Sequence, residues 1–403
     1  MRPLDRRTLL LALAASAAAP RFGWAQSGAR TLASFGARGD GVSDDTQALA
    51  GALASGVALD GGGRTYGVAG PLMAASAFRG LANCTLRQLQ RADHLRTLEI
   101  RGARGFRLTN VEVIRGDQDD EALVQRDMQL NAGIWIEDGA DFHLDQVRVK
   151  GGGIGTGLVI VQSRGFHVVE ARVSQIHYRL KARPADDMLQ GLWINRSSSF
   201  DLLHPVVSDL GGHDDQGFSR DNNRAIAISG SSDFRVRDLD VSQCGQGLDV
   251  TGSEGDHDFQ VIGGHASDCF SWGFKFANSA QRGKVAGAVA ARCGLGGFVV
   301  SGRSELTDPT PQDIEIADCQ ALDCGVAGVN RTMFGFGVLR ARPDPDYPRR
   351  VRFVRCTAID RRTPPGMKWG FFNEIPAPPG ERNTVEDCMV MGAAVSDYRG
   401  FGV

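Results

Sequence analysis

Asp249 and Lys275 occupy matching positions in two similar segments, Gly247-Leu-Asp-Val and Gly273-Phe-Lys-Phe. A lysine amine can act as a base when its pKa is lowered, and a second cation can neutralise a carboxylate on the substrate. Arg224 precedes another copy of the segment and could supply that cation. We predict that Lys275, His213 and Arg224 supply the base, which removes a proton next to a substrate carboxylate, and the cation, which neutralises that carboxylate. Asp249 would orient Lys275 or help to bind a cation. The alternative is that Asp249 and Lys275 form only a surface ion pair.

A second group of candidates lies in the segment Gly211-Gly-His-Asp-Asp-Gln-Gly. His213 is a candidate base, and Asp215 is a candidate catalytic carboxylate. Asp214 and Asp215 could supply oxygen ligands to a calcium ion, the one cofactor that this pattern suggests. The alternative is a solvated turn, because Asp and Gly both favour turns. Another acidic stretch, Asp256-His-Asp, is interpreted as a loop, because adjacent residues rarely all reach one metal ion.

Aromatic and polar side chains accompany the candidates in the repeated segments. Trp135 and Glu137 belong to one copy, and Trp193 and Asn195 belong to another. All four fall on the positions between the inward apolar residues, so they are predicted to point outward and to bind a substrate. The tryptophans could stack on substrate rings, or they could pack under the loops inserted before the repeated strands.

These candidates are positioned by a repeat of the form Gly, apolar, any residue, apolar. Each copy alternates with period two and is bounded by turn residues, which is typical of a strand with one buried face. The copies begin at Gly133, Gly157, Gly191, Ala225, Gly247, Gly273, Gly297 and Gly335.

A second strand and then a third follow each copy. The second strand opens on a phenylalanine that is expected to stack with its equivalents inside the molecule, at Phe106, Phe142, Phe166, Phe200, Phe234 and Phe259. Three strands in about 24 residues, without a helix between them, predict an all-β, single-stranded parallel β-helix with three short strands per coil. A propeller blade needs four strands, and a leucine-rich repeat needs a helix or an Asn ladder.

Cysteines follow the same register, since Cys244, Cys269, Cys293 and Cys324 each precede a repeat strand. Cys319, Cys356 and Cys388 form a second set, which is placed at the end of the third strand. No Cys-x-x-Cys is present, so a zinc site is not expected. Stacked buried thiols are favoured over disulfides between coils.

The two ends of the chain differ from the repeat. Residues 1–25 contain Arg6-Arg7 before a short apolar run, which indicates a twin-arginine export signal rather than a membrane span, and a periplasmic or secreted protein. The alternative is an ordinary Sec signal, which would also export the chain. Residues 26–403 would form the β-helix domain, with an N-terminal cap over about 31–70 and less regular coils over about 340–403. In the cap, Ser43-Asp-Asp precedes the helical run Thr46 to Ser55, which would cover the open end of the core.

Charge narrows the choice of partners. Without residues 1–25 the chain loses four arginines and one aspartate, which leaves 41 basic and 46 acidic residues and a net charge of −5. An acidic exported protein is a poor candidate for binding nucleic acid. No other segment is long and apolar enough to span a membrane, and a monomer is expected.

The stretch Phe35-Gly-Ala-Arg-Gly-Asp-Gly-Val-Ser-Asp-Asp-Thr-Gln-Ala-Leu resembles the entry motif of the pectate-lyase-like and rhamnogalacturonase-like β-helix proteins. The resemblance implies a right-handed β-helix over the whole mature chain and a polysaccharide as partner. The chain is also similar in spacing to the polygalacturonases of glycoside hydrolase family 28. At the positions of that family's paired Asp, its Gly-His-Gly and its Arg-Ile-Lys, it has Asn222-Asn-Arg, Gly245-Gln-Gly and Gly273-Phe-Lys. Both acids and the His are replaced, so the machinery of an inverting hydrolase is absent at these positions.

The leading hypothesis is therefore an exported polysaccharide lyase that cleaves an acidic glycan by β-elimination. An epimerase would share the proton abstraction and leave the glycan uncut. A glycoside hydrolase using Asp214, Asp215 or Glu137 is the second hypothesis, and a non-catalytic glycan-binding protein of the cell envelope is the third.

Overall fold

The structure is a computed structural model that describes residues 28–89, 96–116, 131–151, 155–178, 189–212, 223–252, 255–303, 309–326, 333–340, 347–375 and 378–401. Parallel strands stack coil upon coil into a first sheet of 12 strands and a second sheet of 23. The chain is a right-handed parallel β-helix, as its repeats and its entry motif predict. Within the described residues, no helix has the length and apolar character needed to cross a membrane.

The first sheet contains all eight repeated segments, one per coil, in a constant register. Its strands are Leu72–Ala74, Arg96–Arg101, Ala132–Glu137, Thr156–Val161, Gln190–Asn195, Arg224–Ser229, Gln246–Gly252, Trp272–Asn278, Gly296–Ser301, Phe334–Leu339, Trp369–Asn373 and Ser396–Arg399.

The second sheet holds the other two strands of each coil. In the first coils these two strands are merged, because Asn83 and Asn110 bend the chain through a positive φ without ending the strand. The strands of these coils are Arg30–Thr31, Asp40–Asp44, Leu59–Val68, Gly80–Gln88 and Arg107–Ile114.

Later coils have two separate strands in the second sheet, as predicted. The strands that directly follow the first sheet are His143–Asp145, Arg164–Val169, Ser198–Leu203, Ser232–Arg237, His257–Ile262, Gln281–Ala286, Gln312–Ala317, Arg349–Val354 and Thr384–Glu386. The third strands are Arg148–Lys150, Arg172–Tyr178, Val206–Gly212, Asp240–Ser242, His265–Ser267, Val289–Ala291, Gln320–Leu322, Thr357–Ile359 and Met389–Met391. The coils therefore continue in register through the Pro- and Arg-rich end of the chain.

The predicted phenylalanine ladder lies in the core. From Phe106 to Phe259 the six rings are stacked, with centroids 4.7–5.4 Å apart and planes within 12° of parallel. The next coil has Gly283 at the ladder position, and the ring of Phe276 from the first sheet stacks on Phe259 instead, 5.6 Å away. A second stack then continues from the first sheet, through Phe274, Phe298, Phe336, Phe371 and Tyr398.

A cap covers the N-terminal end of this core, as predicted. The helix Thr46–Ala54 buries Leu49, Ala52 and Leu53, and a short 3-10 helix, Leu32–Phe35, packs beside it. The carboxylate of Asp44 accepts hydrogen bonds from Thr46 at the start of the helix. The carboxylate of Asp45 instead accepts the backbone N–H groups of Arg38 and Gly39, so the acidic pair ties the entry loop to the helix.

All eight cysteines are free thiols, and seven of them are buried. The placement of Cys319, Cys356 and Cys388 at the end of the third strand was wrong. Cys319 follows the second strand, Gln312–Ala317, and its equivalents occupy the same corner one and two coils later. The corner falls there because each second strand is followed by a residue of positive φ, such as Asp318, which turns the chain before the cysteine.

Candidate active site on the first sheet

The outward residues of the first sheet lie in the predicted register. Ala227, Asp249, Lys275 and Val299 are direct neighbours on four successive coils. Their strands alternate, so that Leu248 and Val250 belong to the main core while Asp249 and Lys275 do not. The prediction that Asp249 and Lys275 are adjacent on this face is confirmed.

Asp249 contacts two cations from the neighbouring coils. Its Oδ2 lies 2.7 Å from Nε of Arg224 and 3.4 Å from Nζ of Lys275. The Asp249 side chain is 0% exposed, whereas those of Arg224 and Lys275 are 16% and 18% exposed. We call these three residues the Asp249 cluster. It carries one net positive charge, and only its two cations reach the solvent side of the sheet.

Burial lowers the pKa of the Lys275 amine below its ordinary value. The positive charge of Arg224 acts in the same direction, while the charge and the hydrogen bond of Asp249 oppose the shift. A lowered pKa increases the fraction of neutral amine near neutral pH, which is the form that can accept a proton. The cluster therefore combines a candidate base with a second cation, both positioned by one buried carboxylate.

Asp256, which was predicted to lie in a loop, is a buried carboxyl beside this cluster. It is 0% exposed, and its Oδ1 accepts the backbone N–H of Ser231 at 2.8 Å. Burial raises its pKa well above the ordinary value, and the negative charge of Asp249 adds to that shift against the Ser231 hydrogen bond. Among the described residues, neither Asp256 Oδ2 nor Asp249 Oδ1 has a hydrogen-bond partner.

The corner that contains Asp256 carries a signal that could have identified it. Ser163, Ser197 and Ser231 occupy the same corner in the three preceding coils, and each hydroxyl or carboxyl accepts the N–H of the coil before it. Asp256 is the acid in this series of serines. Comparison of the corner positions, rather than of the strands, would have distinguished it from an ordinary loop residue.

Trp135, Glu137, Trp193 and Asn195 occupy outward positions, as predicted. Trp193 and Asn195 lie on the coil next to that of Arg224, and Trp135 and Glu137 lie two coils further away. Trp135 is only 4% exposed; the guanidinium of Arg96 lies 3.6 Å from the centroid of its ring, and its Nε1 donates to Glu137 at 3.2 Å. Trp193 meets Trp135 edge-on at 6.4 Å and is half-buried, as is Asn195. These contacts favour packing over ring stacking for Trp135, while Trp193 keeps part of its surface exposed.

A second aromatic group flanks the cluster on its C-terminal side. Trp272 precedes Lys275 on the same strand, is half-buried, and stacks on Phe334 at 5.3 Å. Phe334 in turn stacks on Phe372, which also contacts Trp369. Trp272 is therefore a partly exposed aromatic residue on the same strand as Lys275. It was not among the substrate-binding residues predicted from the sequence.

His213, Asp214 and Asp215 lie outside the described residues, so their roles and the calcium site stay predictions. In the described part of the chain, no group of three or more His, Cys, Asp or Glu side chains is arranged to hold a metal ion.

No protein-family model and no curated protein sequence matches this chain. Solved structures match most of its length. The tailspike protein of Escherichia coli bacteriophage HK620, in complex with a pentasaccharide, is 13% identical with a TM-score of 0.65, over 90% of this chain and 67% of that one. The A-module of a mannuronan C-5 epimerase from Azotobacter vinelandii is 17% identical with a TM-score of 0.55, over 92% and 98%. A family 28 exopolygalacturonase from Yersinia enterocolitica is 10% identical with a TM-score of 0.56, over 92% and 78%. These likenesses establish the right-handed parallel β-helix fold.

Proposed function

We propose that this protein is an exported enzyme that cleaves an acidic polysaccharide by β-elimination at the Asp249 cluster. The observation that carries the proposal is Lys275, whose side chain is partly exposed and whose amine has a lowered pKa. The amine lies 3.4 Å from a fully buried carboxylate that also contacts Arg224. Elimination from a uronate requires a base for the proton next to the carboxylate and a cation to neutralise that carboxylate.

The residues divide the reaction between them. Arg224 pairs with the uronate carboxylate and stabilises the negative charge that develops there. The neutral amine of Lys275 takes the proton from C5, the C5 electron pair forms the C4=C5 double bond, and the bond from C4 to the glycosidic oxygen breaks. The departing oxygen takes up a proton, so that one new reducing end and one unsaturated sugar result. Asp249 acts through Lys275 and Arg224, because it is fully buried.

The similar structures support a carbohydrate as substrate. They include an epimerase of mannuronan, an exopolygalacturonase and a tailspike bound to a pentasaccharide. A shared fold does not fix the chemistry, so the assignment of elimination depends on the cluster itself.

A hydrolase that pairs Glu137 with Asp249 is disfavoured by spacing. The two residues lie four coils apart, because Glu137 shares its strand with Trp135, and the register then passes through Val159, Trp193 and Ala227 before it reaches Asp249. At about 4.8 Å per coil this separation is roughly 19 Å. Inverting hydrolases hold their two carboxyl groups no more than ~9.5 Å apart. A hydrolase that uses Asp214 or Asp215 stays an alternative.

The experiment is to treat polygalacturonate and polymannuronate with the purified protein while following ultraviolet absorbance, reducing ends and the configuration at C5. We expect absorbance and reducing ends to rise together, and Lys275→Ala to abolish both. Lys150→Ala is the matched control, because Lys150 pairs with Glu112 on the second sheet. Reducing ends without absorbance would establish a hydrolase, and an altered C5 without cleavage would establish an epimerase. Binding without any product would favour the non-catalytic protein.

Export is a separate proposal that depends on Arg6 and Arg7. Replacement of both by lysine should retain the protein in the cytoplasm, because twin-arginine export is read from this pair. Cell fractionation measures the result, and export that survives the double substitution would contradict it.

A further inference from the structure

We propose that a groove on the second sheet, remote from the Asp249 cluster, binds an extended acidic glycan chain. The groove has a volume of about 530 Å³ and runs across four successive coils near the C-terminal end. Its cationic lining residues are Arg282, Lys284, Arg350, Arg352 and Arg382. A volume of this size falls within the range of small-molecule sites in proteins.

The carboxylates in the groove are already paired. Asp313 binds Arg350 at 2.6 Å, while Glu315 and Glu386 bind Arg352 at 2.9 and 3.1 Å. Lys284 lies beside Glu315 in the sheet register but forms no ion pair among the described residues. The groove is lined by five cations and three carboxylates, so ion pairs among these side chains leave it with an excess of positive charge.

Arg282 binds Asp258 at 2.7 Å, so Lys284 and Arg382 are the unpaired cations of the groove in the described part of the chain. Both are exposed. Lys284 is in register with Glu315, Arg352 and then Thr384, and Arg382 lies two residues before Thr384. Three coil spacings of about 4.8 Å place these two cations roughly 14 Å apart along the axis. One small anion cannot contact both, so a single occupant that engages both cations is an elongated molecule with more than one negative charge.

The paired carboxylates favour a glycan over other polyanions. The oxygens of Asp313, Glu315 and Glu386 can accept hydrogen bonds from sugar hydroxyls, which a glycan carries on every ring and a DNA strand lacks between its ends. The Thr384 hydroxyl, which donates to Glu386 at 3.0 Å, adds a further acceptor at the far end of the groove. A polyuronate chain matches this pattern, because its carboxylates are separated by sugar rings that carry hydroxyl groups.

The test uses the whole protein with Lys275→Ala in the background, so that the probe is not degraded. A galacturonate oligomer long enough to span three coils is titrated calorimetrically against this protein and against the same protein with Lys284→Ala and Arg382→Ala. We expect the affinity to fall about tenfold or more. The negative slope of log affinity against log salt concentration should become less steep by about 1.5. A neutral malto-oligosaccharide should bind to neither protein.

The matched control removes the same charge elsewhere, with Arg292→Ala and Arg355→Ala. Both arginines are exposed and are paired with Asp268 and Asp318. An equal loss of affinity in this control, or no loss in the Lys284 and Arg382 variant, would overturn the proposal. Tighter binding of single-stranded DNA than of the galacturonate oligomer would overturn the glycan assignment. Because binding is measured without turnover, the result does not depend on whether the protein is a lyase.

Discussion

At the scale of single residues, Asp249 holds the side chains of Arg224 and Lys275 together and favours the charged form of the Lys275 amine. It is fully buried, and its Oδ2 contacts both Arg224 and Lys275. Removal of one partner from a buried ion pair leaves an uncompensated charge in a dry environment. Substitutions at Asp249 should therefore act on the protonation of Lys275, which makes the dependence of activity on pH the informative measurement.

Elimination activity should increase with pH as the Lys275 amine becomes neutral, with a midpoint below the ordinary lysine value of about 10.4. Asp249→Asn should move this midpoint to lower pH, because the carboxylate that favours the charged amine is lost while burial and Arg224 still oppose it. The pH profile of kcat/KM measures both effects, with Lys150→Ala as the control that leaves the midpoint unchanged. A midpoint that rises in Asp249→Asn would contradict the assignment of Lys275 as the base.

Asp256 should make the stability of the fold depend on pH. Its pKa is raised in the folded chain, so the neutral form is favoured and its contribution to stability is lost as the pH rises through the folded pKa. Asp256→Ser keeps an acceptor for the Ser231 N–H, as in the preceding coils, and removes the ionisable group. Between about pH 5 and about pH 8, the melting temperature of the wild type should decrease more than that of Asp256→Ser. Parallel decreases would show that Asp256 does not titrate in this range.

At the scale of elements, the two aromatic stacks explain why one coil departs from the ladder. Phe276 enters the position that Gly283 leaves open, and a Cβ at Gly283 would lie 2.1 Å from the Phe259 ring. The absence of a side chain at Gly283 is thus a packing requirement rather than a turn requirement, since this glycine is not among the residues with positive φ.

Two glycine-to-alanine substitutions should therefore have opposite effects on stability. Gly283→Ala should reduce the free energy of unfolding by about 1–3 kcal/mol, because it overpacks the ladder. Gly51→Ala should increase it by about 0.5–1 kcal/mol, because Gly51 lies inside the helix Thr46–Ala54 with no heavy atom within 4 Å of the added Cβ. Denaturant titration of both variants measures the difference. Equal effects of the same sign would contradict this account of the two sites.

At the scale of the whole molecule, the reactivity of the cysteines shows whether the coils are closed, because seven of the eight thiols are buried in the native protein. Burial raises the pKa of Cys84 and of Cys244 to about 12, and only Cys388 is not fully buried. A thiol reagent should therefore modify at most one cysteine rapidly in the native protein and all eight in denaturant. Absorbance of the released thiolate measures the count over time. Rapid modification of several thiols in the native state would show that the coils open locally.

The sequence predicted the features that repeat with the coil. The phenylalanine ladder and the contact of Asp249 with Lys275 follow from a side-chain period of two and a constant strand register. The neighbours that differ between coils could not be predicted in this way. The contact of Arg96 with Trp135 joins two coils through a long side chain, and the burial of Asp256 depends on corner geometry. His213 and Asp214 lie outside the described residues, so those predictions stand as they were made.

The buried thiols make the correct oxidation state of the protein depend on whether the chain folds before or after translocation. Seven of the eight cysteines are shielded only once the coils have closed around them. A chain that folds in a reducing compartment before translocation would reach an oxidising one with these thiols protected from wrong pairing. A chain threaded across the membrane unfolded would instead present all eight thiols to oxidants at once. Under the proposed export, the yield of native protein should therefore depend on completing the fold before translocation.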